Sequence, residues 1–216
     1  MDYETSLTDS NPLATHFSSI SRLESDRRGS KRYLVEIESF FTAIKCCSAA
    51  PEPLLRSIAT FLRDKSYEFP EIRHLLIDSI TEFENPKPFL DVLSSMLCMV
   101  SAELLKDAIH ALINLIKADN CLLLSALGVM AELQIPAKLI GEVTEIAYAG
   151  LSIVNEDDFP AFFRMILISF LHYSPEKILP RLRREVTRKS KIYCLSEANY
   201  NRKICRFAHF QNMPLH

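Results

Sequence analysis

Segments headed by proline or serine recur along this chain, and their starts are evenly spaced. Lys31–Cys47 places Leu34, Ile37, Phe41 and Ile44 at steps of three, four and three residues, one face of an α-helix. The short Ala-Pro linker Ser48–Glu52 leads to Pro53–Arg63, which repeats the pattern with Leu55, Ile58 and Leu62. Pro70 heads a segment with Ile72, Leu75, Leu76 and Phe83 on its inner side, and Asn85-Pro86 marks a turn. Pro88 then opens Phe89–Val100, Ser101 is placed to cap Ala102–Lys117, and Pro136 opens Ala137–Leu151 after Cys121–Leu133. Alternate starts near Pro53, Pro88, Cys121 and Phe159 are separated by 35, 33 and 38 residues. Two helices per such period, joined by short loops, is the signature of stacked helical hairpins of the HEAT, armadillo or tetratricopeptide kind. The chain has no Trp, which removes the strict tetratricopeptide pattern. The prediction is an all-α fold, an irregular HEAT-like α-solenoid of about nine helices over residues 31–189; a bundle whose helices happen to be evenly spaced is the alternative.

One segment demands cover on more than one side. Glu156–Tyr173 reads EDDFPAFFRMILISFLHY, apolar from Phe159 to Leu171 except at a few positions such as Arg164 and Ser169. A surface helix shows one apolar stripe; this run is apolar around more than half its circumference, which predicts an inner helix. Asp157 and Asp158 are placed to cap it, and Pro160 sits where a missing N–H costs nothing. Core packing is the expectation for its side chains, and an apolar ligand pocket the alternative. The run is too short, with Arg164 inside it, to span a bilayer; the longest uncharged run, Asn120–Ala131, is about half of the roughly 20 residues required.

Composition narrows the functional classes. Four glycines in 216 residues argue against Gly-rich phosphate-cradling loops and against hairpin-rich β folds. A formal charge of −2 announces no bulk affinity for nucleic acid. The six cysteines are not spaced as a disulfide framework, and Met1–Ser10 is polar and acidic rather than a secretory leader. Reduced, buried thiols of a cytosolic or nuclear protein are expected. The six histidines are scattered, no nucleophile stands beside a base, and no enzyme activity or cofactor is predicted.

The two ends differ in character. Residues 1–30 are rich in Ser, Thr and Asp and read as a disordered polar arm. Arg27, Arg28, Lys31 and Arg32 near its end read as a solvated leader into the first helix, or as part of an import signal or a basophilic kinase site at Ser30. Residues 190–216 read as a basic, poorly ordered tail. From Arg181 to Arg206 nine basic residues (Arg181, Arg183, Arg184, Arg188, Lys189, Lys191, Arg202, Lys203 and Arg206) face only Glu185 and Glu197, a local net charge of +7. With Tyr193, Tyr200, Phe207 and Phe210 interleaved, these are the candidate nucleic-acid contacts; a merely solvated tail is the alternative. Cys194, Cys205, His209 and His216 include one local pair of zinc-ligand reach, Cys205 to His209, but the gap from Cys194 to Cys205 is not a usual ligand spacing.

Two stretches carry a family resemblance. Glu156-Asp157-Asp158-Phe159-Pro160 leading to Arg164-Met165-Ile166-Leu167-Ile168-Ser169 resembles a helix in the amino-terminal solenoid of the Fanconi anaemia group D2 family. So do Leu124–Leu133 (LSALGVMAEL), Ile135-Pro136 and Leu139-Ile140-Gly141-Glu142-Val143, in the same order and at a similar separation. Looser similarity runs back through Pro70–Ile116 and on to about Val186. The resemblance implies a nuclear helical scaffold, here in truncated form, that pairs with the Fanconi anaemia group I paralogue. The pair clamps DNA during interstrand crosslink repair and is locked by monoubiquitination. Members of that family are several times longer, and their acceptor lysine lies outside the matched region, so no lysine here takes that role. A generic HEAT-like adaptor and a nucleic-acid binder acting through the basic tail are the other readings.

Overall fold

The computed structural model describes residues 11–22, 30–47, 50–98, 100–155, 157–173 and 175–195, and among them every regular element is helical. Two compact units divide the chain, Met1–Pro136 and Ala137–His216, so the expected 31–189 array contains a boundary at Pro136.

The first unit holds α1 (Pro12–Arg22), α2 (Ser30–Lys45), α3 (Glu52–Lys65), α4 (Glu71–Ser79), α5 (Lys87–Met96), α6 (Ala102–Ala118) and α7 (Leu123–Glu132). Proline heads most of these helices, either as the residue before the helix or within its first turn, where its missing N–H is no loss. At Ser101 the predicted cap is present: the Leu104 amide donates to Ser101 Oγ at 3.2 Å. No described residue adopts a positive φ, which suits a chain with so few glycines.

Packing in this unit alternates along the sequence. α2 packs on α4 and α4 on α6; α3 packs on α5 and α5 on α7. Helices two apart thus form two rows, joined where α6 meets α7. The faces that meet are the periodic ones. Ile37, Phe40 and Phe41 of α2, Ile58 and Leu62 of α3, and Phe89 and Leu93 of α5 are buried, as are Leu112 and Ile116 of α6 and Leu127 and Met130 of α7. Each such side chain contributes roughly 1.5–3 kcal/mol relative to exposure. An aromatic chain ties α2 to α5: Phe41 stacks on Phe83 at 6.3 Å, and Phe83 meets Phe89 at 4.7 Å.

Three expectations fail here. Within the expected disordered arm, Pro12–Arg22 is α1, with Leu13 and Ile20 buried. Phe17 stacks on Phe40 at 6.0 Å and meets Phe61 edge-on at 5.4 Å, and Asn11 Oδ1 accepts from the Leu13 amide at 3.0 Å. Three apolar residues on one face suffice once α2 is there to receive them, although serine and threonine dilute the pattern. The rest of the arm, residues 1–10 and 23–29, lies outside the described residues. The four cysteines whose side chains are described are not buried: Cys46, Cys98 and Cys121 are exposed and Cys47 is half-buried, and these four are free. They sit at helix ends and turns, where an apolar run in sequence does not translate into an inward position. Finally, α7 begins two residues later than expected, after a 3-10 turn at Asn120–Leu122 in which Asp119 Oδ1 accepts from the Cys121 amide at 2.8 Å.

The second unit holds α8 (Ile140–Ile153), α9 (Phe159–Met165) and α10 (Pro175–Leu195). α8 starts three residues after the expected Ala137, because residues 137–139 form turns instead. The apolar run is one continuous path but not one helix. α9 gives way to a π-helical turn at Ile166–Phe170 and then to a 3-10 turn at Leu171–Tyr173. Phe159, Phe162, Phe163, Ile166 and Phe170 are buried, Leu167 is half-buried, and Ile168 is 67% exposed. The wide turn therefore leaves Ile168 open to solvent, where the expectation was an inner helix covered on more than one side. Asp158 occupies the residue before α9 but makes no capping hydrogen bond with its carboxylate; its backbone carbonyl accepts from the Phe162 amide at 3.0 Å instead. α8 packs on α9, on the π turn and on α10.

Candidate nucleic-acid interface on the last helix

α10 carries six of the nine basic candidates, and it runs on to Leu195, past the expected boundary at 189. Its inner face is built by Leu182 and Val186, four residues apart and buried. Pro180 stands inside the helix and is exposed, early enough that the helix continues through it. Apolar burial on one side fixes which arginines point outward.

Arg181 does not point into free solvent. Its Nη1 donates to Glu145 Oε2 of α8 at 2.7 Å, and its guanidinium carbon lies 4.9 Å from the centre of the Tyr148 ring. A carboxylate and an aromatic face together hold the fork, fastening α10 to α8. Arg188 is held within its own helix, with Nε donating to Glu185 Oε2 at 2.7 Å. Arg183 and Arg184 are exposed, and neither holds a carboxylate. On a helix, positions 181, 184 and 188 share one side, while 183 lies roughly 100–160° round from them. Lys189 and Lys191 lie on the last turns of α10; Arg202, Lys203 and Arg206 lie outside the described residues, as do the zinc candidates Cys205, His209 and His216. The helix thus brings together six of the nine positions, and two of the four arginines described in full have their charge met internally.

Beneath Arg181 the chemistry is apolar. Tyr148 is buried, and its hydroxyl has no hydrogen-bond partner; Thr144, one turn earlier on the same side of α8, is buried with its Oγ1 in the same state. Burial pushes the Tyr148 phenol up to about 12; Arg181 acts against that shift, and Glu145 and Glu176 add to it. The pairing of Arg181 with Glu145 spans 36 residues and, like its contact with Tyr148, has no signature in local periodicity; only the Glu185–Arg188 pair, three residues apart, has a spacing that sequence alone shows.

Other chemistry is sparse. Among the described residues no group of three or more His, Cys, Asp or Glu side chains is placed to hold a metal ion. The Cys121 thiol is raised above its ordinary value, first by its hydrogen bond to Asp119 and then by that carboxylate's charge, which makes it a weaker nucleophile at neutral pH. In the first unit a cleft of about 270 Å³ lies where the end of α2 meets α3 and α5, with Ile44, Leu55 and Phe89 as apolar walls and Cys47, Glu84 and Asn85 among its lining. None of its lining residues belongs to the 156–173 run, for which a pocket was the alternative to core packing. No described helix is long and apolar enough to cross a membrane. Comparison with protein-family models, with curated proteins and with solved structures yields no match.

Proposed function

We propose that the chain is a non-enzymatic helical scaffold, an irregular HEAT-like α-solenoid of the Fanconi anaemia group D2 type, acting in nuclear interstrand crosslink repair by pairing with the group I paralogue. The observation that carries the scaffold reading is the alternation of partners in the first unit, α2 on α4 on α6 and α3 on α5 on α7. Stacked hairpins bury their faces this way, each repeat covering its neighbour and leaving long outer surfaces for other chains. The crosslink-repair reading rests on the two resembling stretches. They fall on α7, the start of α8, and α9 with its π turn, and much of what they share is core: Leu127, Met130, Val143, Phe159 and Ile166 are all buried. DNA would be engaged as part of the paired complex.

Size-exclusion chromatography with light scattering, on the full chain mixed with the group I paralogue, tests the pairing. Co-elution at the summed mass is expected. Separate elution of the two chains would sink the crosslink-repair reading and leave a generic helical-repeat adaptor.

A second reading, direct nucleic-acid binding, is favoured by Arg183 and Arg184, which are exposed with no carboxylate. It requires that Arg183→Ala with Arg184→Ala weakens retention of duplex DNA and lowers its salt dependence by about two counterions. Retention unchanged by the double substitution would remove it.

A further inference from the structure

The turn between α3 and α4 presents an arginine and a tyrosine in an arrangement that the scaffold's own packing does not use. The turn itself is firmly held: the Ser66 hydroxyl donates to the Arg63 carbonyl at 2.6 Å, and the Glu68 and Phe69 amides donate to the Lys65 carbonyl at 3.0 and 2.9 Å. Phe69 leans inward, its ring 4.8 Å from that of Tyr33 on α2. Tyr67 points the other way and is 61% exposed, one of few large hydrophobic side chains in the described residues so placed. Arg73, in the first turn of α4, sets its guanidinium carbon 5.9 Å from the centre of the Tyr67 ring.

Arg73 differs from the other arginines around it. Arg56 and Arg63 each hold a carboxylate, at 2.7 and 2.9 Å. Arg73 holds none, and its Nε is sealed from solvent with no acceptor. Its terminal nitrogens reach solvent and are the part of the fork left to meet a partner. The result is a half-buried guanidinium, fixed over an exposed aromatic ring on a rigid turn, with its charge unmet. Tyrosine and arginine are the residue types that concentrate binding energy at interfaces, and a stacked guanidinium recognises a planar carboxylate by two parallel hydrogen bonds.

The surroundings choose among anions. Glu68 and Glu71 are exposed on the same turn, Glu68 tied to Lys65 at 3.4 Å, and the chain as a whole carries a charge of −2. A phosphate backbone, dense in negative charge, is repelled by such a setting; a single carboxylate beside an apolar side chain fits the fork and the ring together. We propose that the Tyr67–Arg73 corner is a docking point for a segment of a partner protein that offers an Asp or Glu next to an apolar residue. The inference stands on the chemistry of this corner and is independent of the crosslink-repair reading.

The test uses the full chain. A phage-displayed random dodecapeptide library is selected on it, and the enriched sequence is synthesised with a fluorescent label for polarisation titrations. The expected peptide carries a carboxylate beside an apolar residue. Arg73→Gln and Tyr67→Ser should each weaken it by about tenfold or more, with helical content unchanged, because Tyr67 is exposed and Arg73 holds no carboxylate within the chain. Replacing the peptide's acid by its amide should weaken binding to the native chain by a similar factor, and have little further effect on the Arg73→Gln chain. Three results would overturn the proposal: selection that yields no Arg73-dependent peptide, a peptide whose amide binds as tightly as its acid, or a corner that binds a short DNA duplex through Arg73 and ignores acidic peptides.

Discussion

Two hydroxyls in the second unit pull against its stability. Tyr148 and Thr144 bury their oxygens one turn apart on α8 with no hydrogen-bond partner for either. A sealed polar group without a partner costs roughly 1–3 kcal/mol, so removing it while keeping its shape should help. Tyr148→Phe and Thr144→Val are expected to raise the urea midpoint, and Tyr148→Phe keeps the ring on which Arg181 lies. The phenol also sets a pH limit. Its folded pKa of about 12 exceeds the unfolded value of about 10, so the unfolded chain loses this proton first as pH rises. The contribution is complete below pH 10 and disappears on the way to pH 12, and stability measured across that window should fall less in Tyr148→Phe than in the native chain. A third residue is an opening for improvement. Gly128 lies inside α7, and a Cβ built on it meets nothing within 4 Å. Gly128→Ala should stabilise by about 0.5–1 kcal/mol through helix propensity alone. A lower midpoint for that variant would mean that α7 is not the regular helix described.

Elements were legible where a local device fixes them. Proline-headed starts and the Ser101 cap act within a turn of the chain, and the periodic faces of α2 to α7 became the buried ones. What escaped depends on contacts distant in sequence. α1 exists because Phe40 and Phe61 receive Phe17, and no composition of a Ser-rich arm announces that. The 156–173 run reads as an inner helix because apolar residues occupy most of its positions, yet the π turn leaves Ile168 facing solvent. Of the candidate site, the clustering of arginines on α10 was readable, whereas the loss of Arg181 to Glu145 was not. The run supplies its own test. Phe163→Asp places a carboxylate at a position only 7% exposed and should destabilise the unit by at least ~3 kcal/mol. Ile168→Asp, two turns or less away, should change stability by no more than about 0.5 kcal/mol. Denaturant melts of the two variants that coincide would contradict the division of this segment into buried and open sides.

At the scale of the molecule, the proposal depends on an order of helices rather than on any site. The first unit stacks helices in two rows, the second gathers α9 and α10 on α8, and each is held by apolar faces rather than by its surface ion pairs, which are worth about 0–1 kcal/mol apiece. Rows leave outer surfaces such as the Tyr67–Arg73 corner available to other chains; a closed bundle would have the same composition and a different use. The most direct discrimination is a set of pairwise distances between spin labels in solution, on a chain whose native cysteines are replaced by serine. Labels at Thr60 on α3, Asp91 on α5 and Gly128 on α7 lie near the middle of three successive members of one row. Packed neighbours sit about 8–10 Å apart, so the row predicts that the 60–128 separation exceeds both the 60–91 and the 91–128 separations by roughly one such spacing. Three similar distances would place α3, α5 and α7 around a common axis and contradict the stacked scaffold.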